Sequence, residues 1–201
     1  VQALPGLGAG FERALHMGGL ANIRNPRLIK ALRAMLLKFP NIEIRENCTV
    51  IEFINEQGRV GGVRSSQGEV RATHTVLAAG AWSGDLLKPL GFALPVQPVK
   101  GQMILYRSEP GFLPAMVLAK GRYAILRRDG HVLVGSTLEH AGYDKRPTQD
   151  ALASLKASAE ALLPALARSE VVGHWAGLRP GSPEVARGGF GYRGASGVPG
   201  A

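Results

Sequence analysis

The sequence predicts a mixed fold in two parts, an α/β unit joined to an α+β unit. Two segments carry apolar residues at helical spacing, one over residues 25–39 and one over residues 147–163. Several short runs rich in β-branched and apolar residues occupy the interval 96–136, which is typical of an antiparallel sheet. Strands that bracket helices around such an inserted sheet favour the two-part arrangement.

The first helix is predicted to begin at Asn25-Pro26, with Asn25 as the N-cap and Pro26 at the first helical position. The dipeptide Pro40-Asn41 ends the segment. Between these two signals the apolar residues follow a helical period: Leu28, Ile29, Leu32, Met35, Leu36 and Phe39.

Short strands are predicted after this helix, over residues 42–45, 48–54, 60–65, 69–72 and 75–77. The turns Glu56-Gln57-Gly58 and Ser66-Gln67-Gly68 are spaced for hairpins. The last strand, Thr75 to Leu77, stops in Ala78-Ala79-Gly80. Residues without bulk at a strand end let the backbone lie close to a flat ligand, so this segment is a candidate cofactor contact.

The composition changes after Ala81 and predicts a second unit. A short helix from Trp82 to Leu90 closes at Gly91. Four strands follow, over residues 96–107, 115–119, 123–127 and 132–136, and Arg128-Asp129-Gly130 is a tight-turn signal between the last two.

A second helix is predicted to begin at Pro147, and a strand over residues 171–178 follows it. The apolar stripe of this helix consists of Leu152, Leu155, Ala159, Leu162 and Leu163. Arg179 comes directly after the strand, between Gly177 and Pro180-Gly181. An arginine on a rigid loop at this place can present its planar guanidinium to a carboxylate.

Length and composition limit the number of domains and argue against a membrane-spanning or disulfide-bonded secreted protein. The length of 201 residues suits one large domain or two small ones, and no run of 18 apolar residues could span a bilayer. The first residues, Val-Gln-Ala-Leu-Pro, form no secretory signal and lack an initiating Met, so we expect them to lie inside a longer protein. Cys48 is the single cysteine, which excludes an intrachain disulfide and favours a cytoplasmic location.

The formal net charge of +9 raises the question of nucleic-acid binding. The basic residues are scattered singly or in pairs, such as Arg127-Arg128 and Lys145-Arg146, and are not interleaved with aromatic residues. We therefore expect no nucleic-acid partner. The five histidines (His16, His74, His131, His140 and His174) have no metal-ligand spacing and are interpreted as surface or strand-edge groups.

The segment Gly6-Leu7-Gly8-Ala9-Gly10 superficially matches a dinucleotide-binding loop. Such a loop needs a preceding strand, three glycines at G-x-G-x-x-G spacing and an acidic residue about twenty positions later. Here Pro5 interrupts the short segment before it, the third glycine falls one position early, and no acidic residue follows at the required distance. We interpret it as a loop without a phosphate-binding role.

Two segments together resemble the flavin-dependent amine and amino-acid oxidases of the D-amino-acid oxidase superfamily. They are His74–Ser83 and Trp175–Gly181, which occur in the order of that family with similar sequence between them. Within the family the resemblance is strongest to the glycine oxidases of thiamine biosynthesis. It covers about residues 15–184.

This resemblance implies a partial FAD-binding Rossmann-like domain with an inserted, mainly antiparallel substrate-binding sheet. Residues 1–81 would belong to the FAD-binding domain, 82–178 to the substrate-binding domain and 179–184 to a return towards the FAD-binding domain. After Glu184 the sequence leaves the family pattern, and residues 185–201, with six glycines, are expected to form an aberrant tail. The phosphate-binding fingerprint of the family lies upstream of the matched region, so we expect this chain to lack it.

The resemblance also assigns roles to particular residues. Val50, on the strand that begins at Cys48, would contact the adenine of FAD through its backbone, and Ala78, Ala79 and Gly80 would pass beside the cofactor. Tyr123 would donate a hydrogen bond to the substrate carboxylate, and Leu138 would line the pocket. Arg179 would pair with the same carboxylate.

The implied reaction is oxidative deamination of glycine, a small D-amino acid or an amine, with FAD as cofactor and dioxygen as oxidant. Hydrogen peroxide and an imine would be the products. Two sibling activities of the same fold stay open, a sarcosine oxidase and the oxidase half of a tRNA-modifying enzyme. A non-catalytic basic fragment that binds partners is the alternative from another class, and the oligomeric state is left open.

Overall fold

The computed structural model describes residues 6–182, so the predictions for residues 183–201 lie outside the described part of the chain. The first helix, α1, spans Asn25–Leu36. Its N-cap is Arg24 rather than Asn25, and the Arg24 carbonyl accepts the backbone N–H groups of Arg27 and Leu28. The predicted apolar stripe faces outwards, since Leu28, Ile29, Leu32 and Met35 are all exposed.

Three strands then form a small antiparallel sheet in the order β1-β2-β3. The strands are β1 (Val50–Glu56), β2 (Arg59–Ser65) and β3 (Gly68–Arg71). Both predicted hairpins are present. Gln57, Gly58 and Gly68 have positive φ, the conformation that tight hairpin turns require and that glycine adopts without strain.

Two predicted strands are wrong. Residues 42–45 form no strand, and neither do residues 75–77. A short extended segment counts as a strand only when a neighbour supplies hydrogen bonds to its backbone, and no segment among residues 6–182 pairs with either. Val76 is 89% exposed. No parallel pair occurs among the described strands, so the Rossmann-like part of the fold stays a prediction.

The segment that follows Ala79 is helical, as predicted, but in three short pieces. A 3-10 helix covers Gly80–Trp82, helix α2 covers Ser83–Leu87, and a second 3-10 helix covers Lys88–Leu90. Gly91 ends the series with φ of 83°, the left-handed conformation typical of a glycine after a helix.

The largest element is a five-stranded antiparallel sheet, in the order β5-β6-β7-β4-β8. The strands are β4 (Gln97–Tyr106), β5 (Val117–Ala119), β6 (Arg122–Leu126), β7 (Val132–Gly135) and β8 (Val171–Gly181). The predicted antiparallel block over residues 96–136 is confirmed. The tight turn at Arg128-Asp129-Gly130 joins β6 to β7, where Gly130 N–H donates to the Arg127 carbonyl.

Helix α3 (Gln149–Leu162) covers one face of this sheet. The Thr148 hydroxyl caps it by accepting the Ala151 backbone N–H at 3.4 Å. A 3-10 helix, Pro164–Arg168, follows it. The core lies between helix and sheet, and its fully buried members include Ile104, Tyr106, Ala124, Val132, Val134, Leu155, Ala159 and Leu166.

Gly8 joins the N-terminal segment to this core through a backbone contact. Its N–H donates to the Leu162 carbonyl at 3.0 Å, at the end of α3. A Cβ at Gly8 would overlap the Ala161 carbonyl oxygen. Glycine is therefore required here because two backbones touch, and no helix follows within residues 11–24.

We expect Leu155→Ala to lower the free energy of unfolding by about 2–5 kcal/mol, because Leu155 is 0% exposed and its removal leaves a cavity under the sheet. Urea denaturation measures the change. Lys156→Ala, at the next and exposed position of the same helix, is the matched control and should change stability by less than about 0.5 kcal/mol. Equal effects of the two variants would contradict the placement of the core.

Candidate functional site

The five-stranded sheet has one covered face and one open face. Along β4, Gln102, Ile104 and Tyr106 are fully buried and point towards α3, while Met103 and Leu105 between them are only half-buried. Side chains of a strand alternate between the two faces. The open face therefore consists of the odd-numbered residues of β4, such as Met103 and Leu105, and of the residues paired with them on the neighbouring strands.

Strand register places Tyr123 and Trp175 on the open face, in one row across the sheet. Tyr123 lies opposite Gly135, Gly135 lies opposite Met103, and Met103 lies opposite Trp175. The next row contains two glycines, because Gly101 pairs with Gly177. Glycines in strand interiors are typical of places where another group lies close to the backbone.

Arg179 lies in strand β8, opposite Val99, rather than in the loop that Pro180-Gly181 predicted. Pairing with β4 continues to Gly181 because β4 begins as early as Gln97 and offers it a partner. The guanidinium crosses β4 above Gly101, where a Cβ would overlap it, and Nη2 donates to the Ser136 hydroxyl at 2.5 Å. No carboxylate among residues 6–182 pairs with Arg179.

Tyr123 lies on the same open face and reaches this region from β6, whereas Arg179 reaches it from β8. Its hydroxyl donates to the Met103 sulfur at 3.2 Å, and a Cβ at Gly135 would lie 2.8 Å from its oxygen. The bare backbone of Gly135 therefore provides the surface on which the tyrosine ring rests. Tyr123 and Arg179, which come from β6 and β8, meet the adjacent residues Gly135 and Ser136.

Leu138 is 69% exposed and follows the end of β7. The strand predicted over residues 132–136 ends one residue earlier, at Gly135, so Leu138 lies beyond it. Thr137 and Glu139 on either side of it bond to Gln102 on the covered face. By alternation Leu138 points the other way, towards the open face.

The candidate cofactor residues lie in two places. Val50 is the first residue of β1, an edge strand whose outer side has no partner among the described residues. Ala78 and Gly80 are exposed, Ala79 is half-buried, and the 3-10 helix that begins at Gly80 packs against β4 and β8. The structure thus brings Gly80 to the sheet that carries Arg179, while Val50 lies in the small sheet.

Sequence reasoning missed a polar network on the covered face. The Gln102 side-chain amide donates to both carboxylate oxygens of Glu139, at 2.9 and 3.1 Å, and to the Thr148 hydroxyl. The Gln102 oxygen accepts the Thr148 backbone N–H, at the start of α3. Lys100, 3% exposed at its side chain, pairs with Glu139 at 3.6 Å. The available signal was a pair of polar residues at alternate positions of an apolar strand.

His174 belongs to this network and is half-buried, which corrects its interpretation as a surface group. Its Nε2 lies 2.9 Å from the Gln102 oxygen. Because the Gln102 nitrogen faces a carboxylate and must donate, its oxygen is the acceptor, so His174 Nε2 carries a proton. The network therefore ties β8 to β4 through side chains as well as through backbone hydrogen bonds.

The Glu139 carboxyl has a pKa below its ordinary value. Burial opposes its ionisation, but hydrogen bonds from Thr137 and Gln102 and the charge of Lys100 outweigh that effect. The ionised carboxylate is therefore the counter-charge of a buried lysine, and it stabilises the fold only while it stays ionised.

No group of three His, Cys, Asp or Glu side chains suited to a metal ion occurs in the described part of the chain. Within that part, every helix is too short or too polar to cross a bilayer.

Comparison with known proteins identifies a family. The family model described as FAD dependent oxidoreductase matches residues 1–199. The chain is 65% identical over 182 residues to a glycine oxidase of Pseudomonas putida. The matched region covers 90% of this chain and 50% of that protein. The chain is also 33% identical to a bifunctional protein ThiO/ThiG of a Nostoc species, over 91% of this chain and 28% of that protein. The chain thus spans about half the length of the Pseudomonas relative.

A solved structure shows the same arrangement of elements. The crystal structure of a glycine oxidase from Bacillus cereus superimposes with a TM-score of 0.65 at 31% sequence identity. The superposition covers 71% of this chain and 39% of that one.

We expect Glu139→Gln to reduce the loss of stability on acidification. The folded-state pKa of Glu139 is lowered, so its contribution is complete above the ordinary pKa of 4.5 and is lost as the pH falls through the folded-state value. Wild-type protein should therefore lose more unfolding free energy than the variant between about pH 6 and about pH 3. Chemical denaturation at both pH values measures this.

The same variant should cost about 1–3 kcal/mol at neutral pH, because Lys100 is left buried without its counter-charge. Glu170→Gln is the control, since its pair with Arg107 is exposed on both sides and should contribute less than about 0.5 kcal/mol. If Glu139→Gln lost as much unfolding free energy between the two pH values as the wild type does, Glu139 would not be the carboxylate whose ionisation stabilises the fold.

Proposed function

The chain belongs to the FAD dependent oxidoreductase family, and we propose that it carries the substrate-binding part of an oxidase that deaminates glycine or another small amino acid or amine. The observation that carries this proposal is the meeting of Arg179 and Tyr123 on the open face of the sheet, above Gly101 and Gly135. The Pseudomonas putida relative is a glycine oxidase, which supports glycine as the first substrate to test.

Arg179 has the properties of a carboxylate anchor. The guanidinium is half-buried, and its one side-chain partner among residues 6–182 is the neutral Ser136 hydroxyl. A half-buried positive charge without a negative partner is costly, and a bound carboxylate would supply that partner in a charge-assisted hydrogen bond. Tyr123 would add a second, neutral donor when its weak bond to the Met103 sulfur is exchanged for one to the substrate.

The residues present fit a flat cofactor beside this site. A Cβ at Gly177 would meet no atom within 4 Å, so bare backbone faces open space next to Arg179. Ala78, Ala79 and Gly80 are small and lie at the start of a 3-10 helix that packs against β4 and β8. Val50 lies on an edge strand whose outer side is unpaired within residues 6–182. When bound, FAD would supply the two-electron oxidation of the substrate C–N bond, and dioxygen would regenerate it with release of hydrogen peroxide.

The part played by the protein is orientation. Arg179 and Tyr123 would hold the carboxylate from one side, which leaves the Cα–H bond and the amine directed away from the sheet. A substrate that is held in one orientation reacts faster because little freedom of motion is left to lose. No side-chain base is required if the amine binds in its neutral form.

The exposed apolar residues of the first part support a larger FAD-binding domain. Leu15, Leu20 and Ile23 are more than half exposed, and so is Ile29 on the outer side of α1. Patches of this kind mark surfaces that pack against other protein. We propose that they pack against the remainder of the FAD-binding domain, in the half of the relatives' length that this chain does not match.

The sibling activities keep the same chemistry. A sarcosine-oxidase-like enzyme or the oxidase part of a tRNA-modifying enzyme would use the same anchor, with the amine side of the pocket deciding the substrate. A role in thiamine biosynthesis in the cytoplasm is part of the proposal and rests on the resemblance to glycine oxidases. The match to a ThiO/ThiG protein supports it.

A non-catalytic basic binding fragment is the weaker alternative. Several arginines are already paired with surface carboxylates, as Arg64 is with Glu52 and Glu69, and Arg146 with Asp144. Paired charges of this kind leave less basic surface for a polyanion.

We expect Arg179→Ala, in the full-length oxidase, to lower kcat/KM for glycine by the factor that corresponds to a loss of about 2–4 kcal/mol of transition-state stabilisation, because a charge-assisted contact is lost. Tyr123→Phe should cost about 1 kcal/mol. Steady-state kinetics with glycine and with a primary amine that has no carboxylate measures both effects. The exposed Arg168→Ala is the matched control and should behave as wild type. Equal losses for glycine and the amine would show that Arg179 is not the anchor.

We also expect the 201-residue chain by itself to hold no FAD, whereas the full-length protein holds it stoichiometrically. Residues 6–182 contain no strand–glycine–helix unit, the unit whose helix N-terminus binds the cofactor pyrophosphate in such folds. The visible absorbance of the purified chain measures bound flavin. A yellow chain with close to one flavin per molecule would overturn this expectation.

A further inference from the structure

We infer that Ser136 is a positioning residue, which holds the Arg179 guanidinium in the orientation that receives the substrate carboxylate. The inference deepens the proposed function and rests on it. Its basis is the hydrogen bond of 2.5 Å from Arg179 Nη2, on β8, to the hydroxyl of Ser136, the residue directly after β7. Strands β7 and β8 are not neighbours in the sheet, because β4 lies between them.

The position of Ser136 is itself well defined. Its backbone carbonyl accepts a hydrogen bond from the Arg122 guanidinium, on the neighbouring strand β6. The preceding Gly135 is buried beneath the Tyr123 ring. The next residue, Thr137, is buried and bonds to the Gln102 backbone through its hydroxyl at 2.8 Å. The hydroxyl of Ser136 is therefore presented from a segment that is held on both sides.

The length of the arginine side chain makes such a support necessary. Arg179 starts on β8, and its guanidinium lies across β4 above Gly101, so several rotatable bonds separate it from its backbone. Without a fixed acceptor, these bonds would be free, and carboxylate binding would have to order them. A group already held in place binds with less loss of conformational freedom.

A serine suits this role better than an acidic residue. The Ser136 hydroxyl accepts a hydrogen bond from Nη2 and is uncharged, so the guanidinium keeps its full charge and its remaining donors. A carboxylate at position 136 would neutralise the arginine and compete with the substrate. The hydroxyl thus fixes the direction of Arg179 and preserves its attraction for an anion.

The test is a double-mutant cycle in the full-length oxidase, with Ser136→Ala, Arg179→Ala and the double variant. Acetate, a carboxylate without an amine, is the binding probe, and its Kd is read from the change in flavin absorbance. KM and kcat are measured with glycine and with a primary amine without a carboxylate. Ser136→Thr keeps a hydroxyl, and Ser154→Ala, exposed on α3, is the control.

We expect Ser136→Ala to raise the Kd of acetate and the KM of glycine roughly five- to fifteen-fold, with kcat changed less than about two-fold. Ser136→Thr should restore most of this loss, and the amine should be affected little. In the Arg179→Ala background the Ser136→Ala change should have no further effect, because the side chain it positions is gone.

Three results would overturn the inference: an unchanged Kd in Ser136→Ala, an equal loss for the amine, or an effect of the same size in the Arg179→Ala background. If Ser136→Ala does not fold, Ser136→Cys, whose sulfur is a weak acceptor, takes its place in the cycle. A separate result would contradict the proposed function rather than the role of Ser136. In that case Arg179→Ala alone would show no preferential loss of carboxylate binding, whatever Ser136 does.

Discussion

Strands β4 and β8 are distant in sequence, yet they pair from Gln97–Gly181 to Tyr106–Val171. This antiparallel register decides where the other parts of the candidate site lie. It sets Gly101 beside Gly177 and brings Arg179 to the level at which its guanidinium crosses β4. A shift by one residue would turn Arg179 towards α3 and bury a charge without a partner. The backbone pairing is reinforced by the His174–Gln102 hydrogen bond on the covered face.

The two faces of the sheet meet opposite physical demands. The covered face needs dense packing, and it combines an aliphatic core with a network in which the charges of Lys100 and Glu139 offset each other. The proposed function would require room and an unneutralised charge on the open face, and the glycines at positions 101, 135 and 177 leave backbone there without side chains. Because side chains alternate along a strand, one strand serves both faces, and β4 alone supplies Gln102 to the network and Gly101 to the site.

The first part of the chain is organised differently. The small sheet is held by hairpins and by exposed ion pairs such as Arg64 with Glu52 and Glu69, which contribute little to stability individually. Helix α1 buries none of its residues, and no strand of the described part of the chain lies beside residues 75–77. Elements of this kind gain their stability from packing against further protein, in agreement with a chain that spans about half the length of its relative.

Local patterns in the sequence determined the helices at Asn25–Leu36 and Gln149–Leu162, the hairpins and the antiparallel strands, because turn residues and apolar periods act over a few positions. The glycines and the proline around Arg179 marked it as a candidate carboxylate anchor, and the family resemblance marked both Arg179 and Tyr123. Only the tertiary structure decided that these two meet at Gly135 and Ser136, and that Gln102, His174 and Glu139 form one network. Such contacts depend on register between strands far apart in the chain, which no local pattern contains. For the same reason the strands predicted at 42–45 and 75–77 failed, since a strand exists only where a neighbour pairs with it.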